Sequence, residues 1–138
     1  MKTKLNPYIN FNSNARQALE FYHSVFGGKL TINTFKEFNM SKGPADENLV
    51  MHGQLETDDG LTLMGSDTPA WMEYRPGTNY AVSLSGDNEP ELTAYFEKLS
   101  AGGTVTQPLT KAIWGDSFGM VTDPFGVGWR VNIAALKT

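Results

Sequence analysis

Residues 7–30 read PYINFNSNARQALEFYHSVFGGKL. Ile9 and Phe11 alternate with Tyr8 and Asn10, the two-residue period of a half-buried strand. Asn12, Ser13 and Asn14 follow, a cluster able to cap a helix. Ala15, Ala18, Leu19, Tyr22, Val25 and Phe26 then recur at helical spacing, which predicts a helix with one apolar stripe. Gly27-Gly28 ends it, because glycine accepts the left-handed conformation common past a helix end. Lys29 to Phe38 reads as a second strand.

Residues 39–47, NMSKGPADE, are polar with Gly and Pro and read as a loop. Leu49 to Thr57 and Leu61 to Met64 flank Asp58-Asp59-Gly60, a hairpin signal. Ser66 to Thr78 is looser. The pattern then restarts. Tyr80 to Ser85 reads as a strand, Asp87-Asn88 as a cap, and Pro90 sits in a first helical turn, where a missing N–H costs little. Leu92, Tyr95, Phe96 and Leu99 recur at helical spacing before Gly102-Gly103. Strands follow at about Val105 to Leu109, Phe118 to Thr122 and Val127 to Ile133, with Asp123-Pro124-Phe125-Gly126 as a turn. The two Gly-Gly pairs lie 75 positions apart, and Phe21 falls on Phe96 at that offset. Strand, capped helix, Gly-Gly and three strands therefore occur twice, from about 5 to 66 and from about 79 to 134, within a single domain spanning 1–138. The fold class is α+β.

The bulk properties narrow the function. A chain of 138 residues with 40% apolar side chains reads as one globular domain. No apolar run approaches the roughly eighteen residues a membrane span needs, and the start shows no signal-peptide pattern, so no membrane partner is expected. The net charge is −4 and no basic stripe stands out, which disfavours nucleic acid. The absence of cysteine removes disulfides, thiolate metal sites and a thiol nucleophile, and fits a cytoplasmic location. No phosphate loop, dinucleotide fingerprint or nucleophile elbow is present.

The segment of residues 7–30 and the close FGMVTDPFGVGWRVN (118–132) together resemble the PhnB-like branch of the glyoxalase/bleomycin-resistance (vicinal oxygen chelate) superfamily. The segment from Trp114 to Phe118 is similar to one that recurs in that branch. The resemblance implies paired βαβββ modules forming an open cupped sheet around a cleft, and a homodimer. It also implies, for the superfamily's enzymes, one divalent metal held by His, Glu or Gln from four strands. Carried over strand by strand, those positions fall on Pro7 or Tyr8, on Gln54, on Ala81 and on Arg130. A fixed guanidinium opposes a cation, so no metal cofactor is expected.

Alternation places Tyr8, Asn10, His52, Gln54, Glu56, Ser83 and Arg130 on the faces that line the cleft, a polar set for an interior. Arg130 suits a carboxylate or phosphate-like group, or else a local acid such as Glu56. Trp114 and Phe118 supply an apolar wall; Trp71 and Met72 read as wall, core or dimer contact. His52 or Glu56 could serve as a general base. His23 reads as a surface residue. Three functions follow: a metal-free protein that binds a small organic molecule, with an anion as one option; an enzyme of lyase, isomerase or dioxygenase type using His52 or Glu56, with or without a divalent metal, which His52 with Gln54 or Glu56 could hold weakly; and a dimeric association module.

Overall fold

A computed structural model describes residues 2–135. The elements are β1 (Tyr8–Phe11), α1 (Ala15–Phe26), β2 (Lys29–Thr34), β3 (Val50–Glu56), β4 (Thr62–Asp67), β5 (Val82–Gly86), α2 (Glu89–Ser100), β6 (Thr104–Lys111), β7 (Ser117–Thr122) and β8 (Gly128–Ile133). The chain divides between Pro76 and Gly77 into two compact units. Each is a βαβββ module with a four-stranded mixed sheet, ordered β1-β4-β3-β2 in the first and β5-β8-β7-β6 in the second. Both sheets are open. Among the described residues no helix is long and apolar enough to cross a membrane.

In the first unit the predicted stripe is the buried one: Ala15, Ala18, Leu19, Tyr22 and Val25 face the sheet. Full burial of a Leu or Val side chain contributes about 1.5–3 kcal/mol, so this stripe fixes the side on which α1 lies. A glycine pair lets the helix sit close. Gly53 on β3 faces Gly65 on β4, and a Cβ at Gly53 would run into the Leu19 side chain. In the second unit Gly119 makes the same allowance, since a Cβ there would come within 2.8 Å of the Phe96 ring of α2.

The start of α1 differs from expectation. Asn14 occupies the cap position but its side chain makes no capping bond. The cap comes from Asp67 at the end of β4, 5% exposed, whose Oδ1 accepts from Ala15 N at 2.9 Å and whose Oδ2 accepts from Val50 N at 2.9 Å. One carboxylate thus satisfies a free helix N–H and the first residue of β3, which a local Asn cannot do. Asn88 does cap α2, accepting from Glu91 N at 3.1 Å. The strand expected over Leu61 to Met64 runs on to Asp67, because its later half pairs in parallel with β1. Gly27 has φ 71° and ψ −158°, a positive-φ extended conformation and not the left-handed helical one.

Corresponding hydrogen bonds close the β1–β4 and β5–β8 pairs. Thr68 N donates to Phe11 O at 2.8 Å, and Ala134 N donates to Gly86 O at 2.7 Å. Counting back from these bonds aligns the units. Tyr8 lies opposite Met64 in the first, and Ser83 opposite Arg130 in the second. Tyr8 and Ser83 are again 75 positions apart, the offset of the Gly-Gly pairs.

Candidate functional site

The face of the first sheet that turns away from α1 is polar. It carries Tyr8 and Asn10 from β1, Thr62, Met64 and Ser66 from β4, and His52, Gln54 and Glu56 from β3. Strand alternation puts these together, since β3 buries Gly53 and Leu55 on the helix side. Four of them form a continuous chain. The Tyr8 hydroxyl lies 3.3 Å from His52 Nδ1, His52 Nε2 lies 3.2 Å from Gln54 Oε1, and Gln54 Nε2 donates to Glu56 Oε1 at 2.6 Å. The Tyr8 and His52 ring centroids are 5.7 Å apart. Beyond Glu56, a polar cavity of about 310 Å³ is lined by Lys4, Asn6, Gln54, Glu56, Thr62 and Met64, among others.

The corresponding face of the second sheet carries Ser83 and Ser85 from β5, Arg130 and Asn132 from β8, and Phe118 and Met120 from β7. Arg130 is exposed, and its guanidinium carbon lies 5.9 Å from the Phe118 ring centroid, within cation–π range. Trp114 packs against the same ring, 6.2 Å from Phe118 between centroids and 63% exposed. Among the described residues the sole ion pair joins Arg75 to Glu73, so Arg130 faces no acid there. Glu56 bonds Gln54 instead. Asn132 is held by Asp116, to which its Nδ2 donates at 3.0 Å. That amide, then the Ala135 N–H, keeps the Asp116 carboxyl below its ordinary pKa by stabilising the ionised form. A wider concavity of about 720 Å³ in this unit lies by the start of α2, lined by Asp87, Asn88, Lys111 and Ser117 among others. None of the predicted site residues lines it.

The remaining sequence candidates lie elsewhere. Trp71 stacks edge-on against Phe35 at 5.8 Å, with the Lys42 ammonium 4.4 Å from its ring centroid. Met72 is exposed. His23 is on the surface, but its Nε2 bonds Gly28 O at 2.9 Å and so ties down the end of α1.

The register corrects one expectation. The carry-over put one position at Gln54 on β3; the strand that pairs with β1 is β4, so the register counterpart of Arg130 in the first unit is Met64. Gln54 sits one strand further over, beside Met64. The parallel return of β4 was readable only by aligning the two halves through β8. At this register position the first unit pairs a phenol (Tyr8) with a thioether (Met64), and the second pairs a hydroxyl (Ser83) with a guanidinium (Arg130). Among the described residues no three His, Asp or Glu side chains gather to hold an ion. Neither pair supplies the carboxylate or imidazole donors of the divalent metal that the resemblance implies.

Comparison with known proteins places these features. A family model described as Glyoxalase/Bleomycin resistance protein/Dioxygenase superfamily matches residues 4–131. The crystal structure of protein PA1353 from Pseudomonas aeruginosa is 36% identical, covers 98% of this chain and all of its own, and superposes with a TM-score of 0.81. A Bacillus cereus structure described as a putative 3-demethylubiquinone-9 3-methyltransferase, PhnB protein, is 24% identical over 96% of this chain and all of its own, with a TM-score of 0.75. Protein YjdN of Escherichia coli K12 is 25% identical over 94% of each chain.

Proposed function

We propose that this chain, which belongs to the glyoxalase/bleomycin resistance protein/dioxygenase superfamily, binds a small organic anion without the help of a metal ion. Arg130 carries the reading: an exposed guanidinium on a polar sheet face, stacked over Phe118 and facing no acid among the described residues. A guanidinium so placed can take a carboxylate or phosphonate through two parallel N–H donors. Phe118 and Trp114 beside it suit a flat or apolar remainder of the ligand.

The test compares benzoate and phenylphosphonate with neutral benzamide in a thermal-shift and calorimetric titration. The anions are expected to raise Tm, as any ligand specific to the folded state does. Arg130→Met installs the residue that the first unit carries at the same register position. It removes charged hydrogen bonds that contribute about 1.5–3 kcal/mol, so it should weaken anion binding roughly tenfold to a hundredfold. Equal stabilisation by benzamide would sink the proposal.

An enzymatic reading is supported by one observation, the Tyr8–His52–Gln54–Glu56 chain, in which His52 or Glu56 would be the general base towards a ligand on the first unit's face. A homodimer belongs to the same proposal. It is supported by apolar side chains left exposed on the first unit, Phe38, Met40, Trp71 and Met72. Light scattering in solution is expected to give twice the chain mass; a monomer at micromolar concentration would remove the dimer. A cytoplasmic location fits the cysteine-free sequence and is open to cell fractionation.

A further inference from the structure

The hydrogen-bond chain of the first unit has a direction, and Glu56 sets it. An ionised carboxylate only accepts, so the Gln54 atom 2.6 Å from Glu56 Oε1 is the amide nitrogen. That turns the Gln54 carbonyl oxygen towards His52 Nε2, 3.2 Å away. A carbonyl also only accepts, so a neutral His52 must carry its proton on Nε2. Its Nδ1 is then an acceptor, and the atom facing it at 3.3 Å is the Tyr8 hydroxyl. The Tyr8 hydrogen is therefore committed to His52. Every donor in the chain points from Tyr8 towards Glu56, and each bond polarises the next.

We infer that this chain locks the tautomer of His52 and makes the Tyr8 oxygen an acceptor site for a ligand's hydrogen-bond donor, such as a hydroxyl or an amine or amide N–H. Tyr8 is 45% exposed, and its hydrogen bond with His52 lies at the surface. A ligand group that can only accept finds no hydrogen on Tyr8 to share, because that hydrogen is already used. The ligand half of this inference rests on the ligand-binding function proposed above. The tautomer half stands without it, and it involves neither Arg130 nor an anion.

Nitrogen NMR of the neutral imidazole, taken at a pH high enough that its shifts no longer change with pH, reads the tautomer directly. His52 is assigned by loss of its signals in His52→Ala. The wild-type chain is expected to show His52 as the Nε2–H form alone. In Gln54→Leu the Nδ1–H form should appear alongside it. Glu56→Ala, at an exposed position, should have the same effect by freeing the Gln54 amide to turn over. An Nδ1–H majority in the wild type, or the same mixture in wild type and both variants, would overturn the lock. Phenol and anisole then probe the acceptor. Phenol is expected to shift the Tyr8 and His52 signals, anisole to leave them in place, and Tyr8→Phe to abolish the phenol response. An equal response to anisole would overturn the acceptor role while leaving the anion site at Arg130 untouched.

Discussion

Asp123→Ala is expected to lower the stability of the fold by about 3–6 kcal/mol, a large share of a total of about 5–15 kcal/mol. Asp123 is 3% exposed. Its Oδ1 accepts from Phe125 N at 2.8 Å and from Val127 N at 3.1 Å, and its Oδ2 accepts from the Trp129 indole Nε1 at 2.9 Å. Alanine removes the acceptor shared by three donors, two of them on Val127 and Trp129, which are 4% and 2% exposed. A buried donor without a partner costs about 1–3 kcal/mol. The residue does two jobs with one carboxylate: it closes the turn into β8 and it fixes the largest side chain of the second core. Asp123→Asn separates them. It keeps an acceptor for the turn but sets an amide N–H against the indole N–H, so its loss should be intermediate. Urea midpoints with an unchanged slope would measure all three proteins. An Asp123→Ala midpoint within about 1 kcal/mol of the wild type would refute the account.

Gly28→Ala is expected to cost about 2–6 kcal/mol and Gly103→Ala about 1–3 kcal/mol. Both glycines sit where the chain leaves a helix and passes against the end of a neighbouring strand. A Cβ on Gly28 would overlap the Glu56 carbonyl oxygen and come within 2.7 Å of Thr57 Cα. One on Gly103 would overlap the Thr122 carbonyl oxygen and lie 3.0 Å from Asp123 Cα. These are backbone atoms of paired strands, which cannot rotate away as a side chain can, and overpacking of this kind costs about 1–3 kcal/mol. Gly28 adds a φ of +89°, a conformation that costs a residue with a Cβ a further 1–3 kcal/mol or so. Gly27 is the internal control. Its φ is +71° but nothing lies within 4 Å of its Cβ position, so Gly27→Ala carries the backbone strain alone. Thermal or urea unfolding should rank Gly28→Ala below Gly27→Ala. The reverse order would show that steric approach to β3 is not what Gly28 provides.

The same glycines show how much the sequence conveyed. Their 75-residue offset marked the repeat, and that offset later aligned Tyr8 with Ser83. What the pattern missed was pairing across distance. Asn14 was the local choice for a cap, yet the acceptor that serves Ala15 N comes from Asp67, 52 residues away. Gln54 held the carried-over position on its strand, yet the strand that pairs with β1 is β4, which puts Met64 opposite Tyr8. Alternation shows which face a side chain takes, but it carries no information about which strand becomes the neighbour.

Arg130 and the Tyr8–Glu56 chain divide along the same line. The sequence alone determined two βαβββ modules, the helix stripes, and that Tyr8, His52, Gln54, Glu56 and Arg130 stand on polar faces, because periods of two and of 3.6 residues are local properties of the backbone. Only the tertiary structure decided that Glu56 bonds Gln54, leaving Arg130 to face Phe118 with no acid among the described residues. The physical reason is that hydrogen bonds and ion pairs are chosen by distances of a few ångströms between strands, which chain order does not specify.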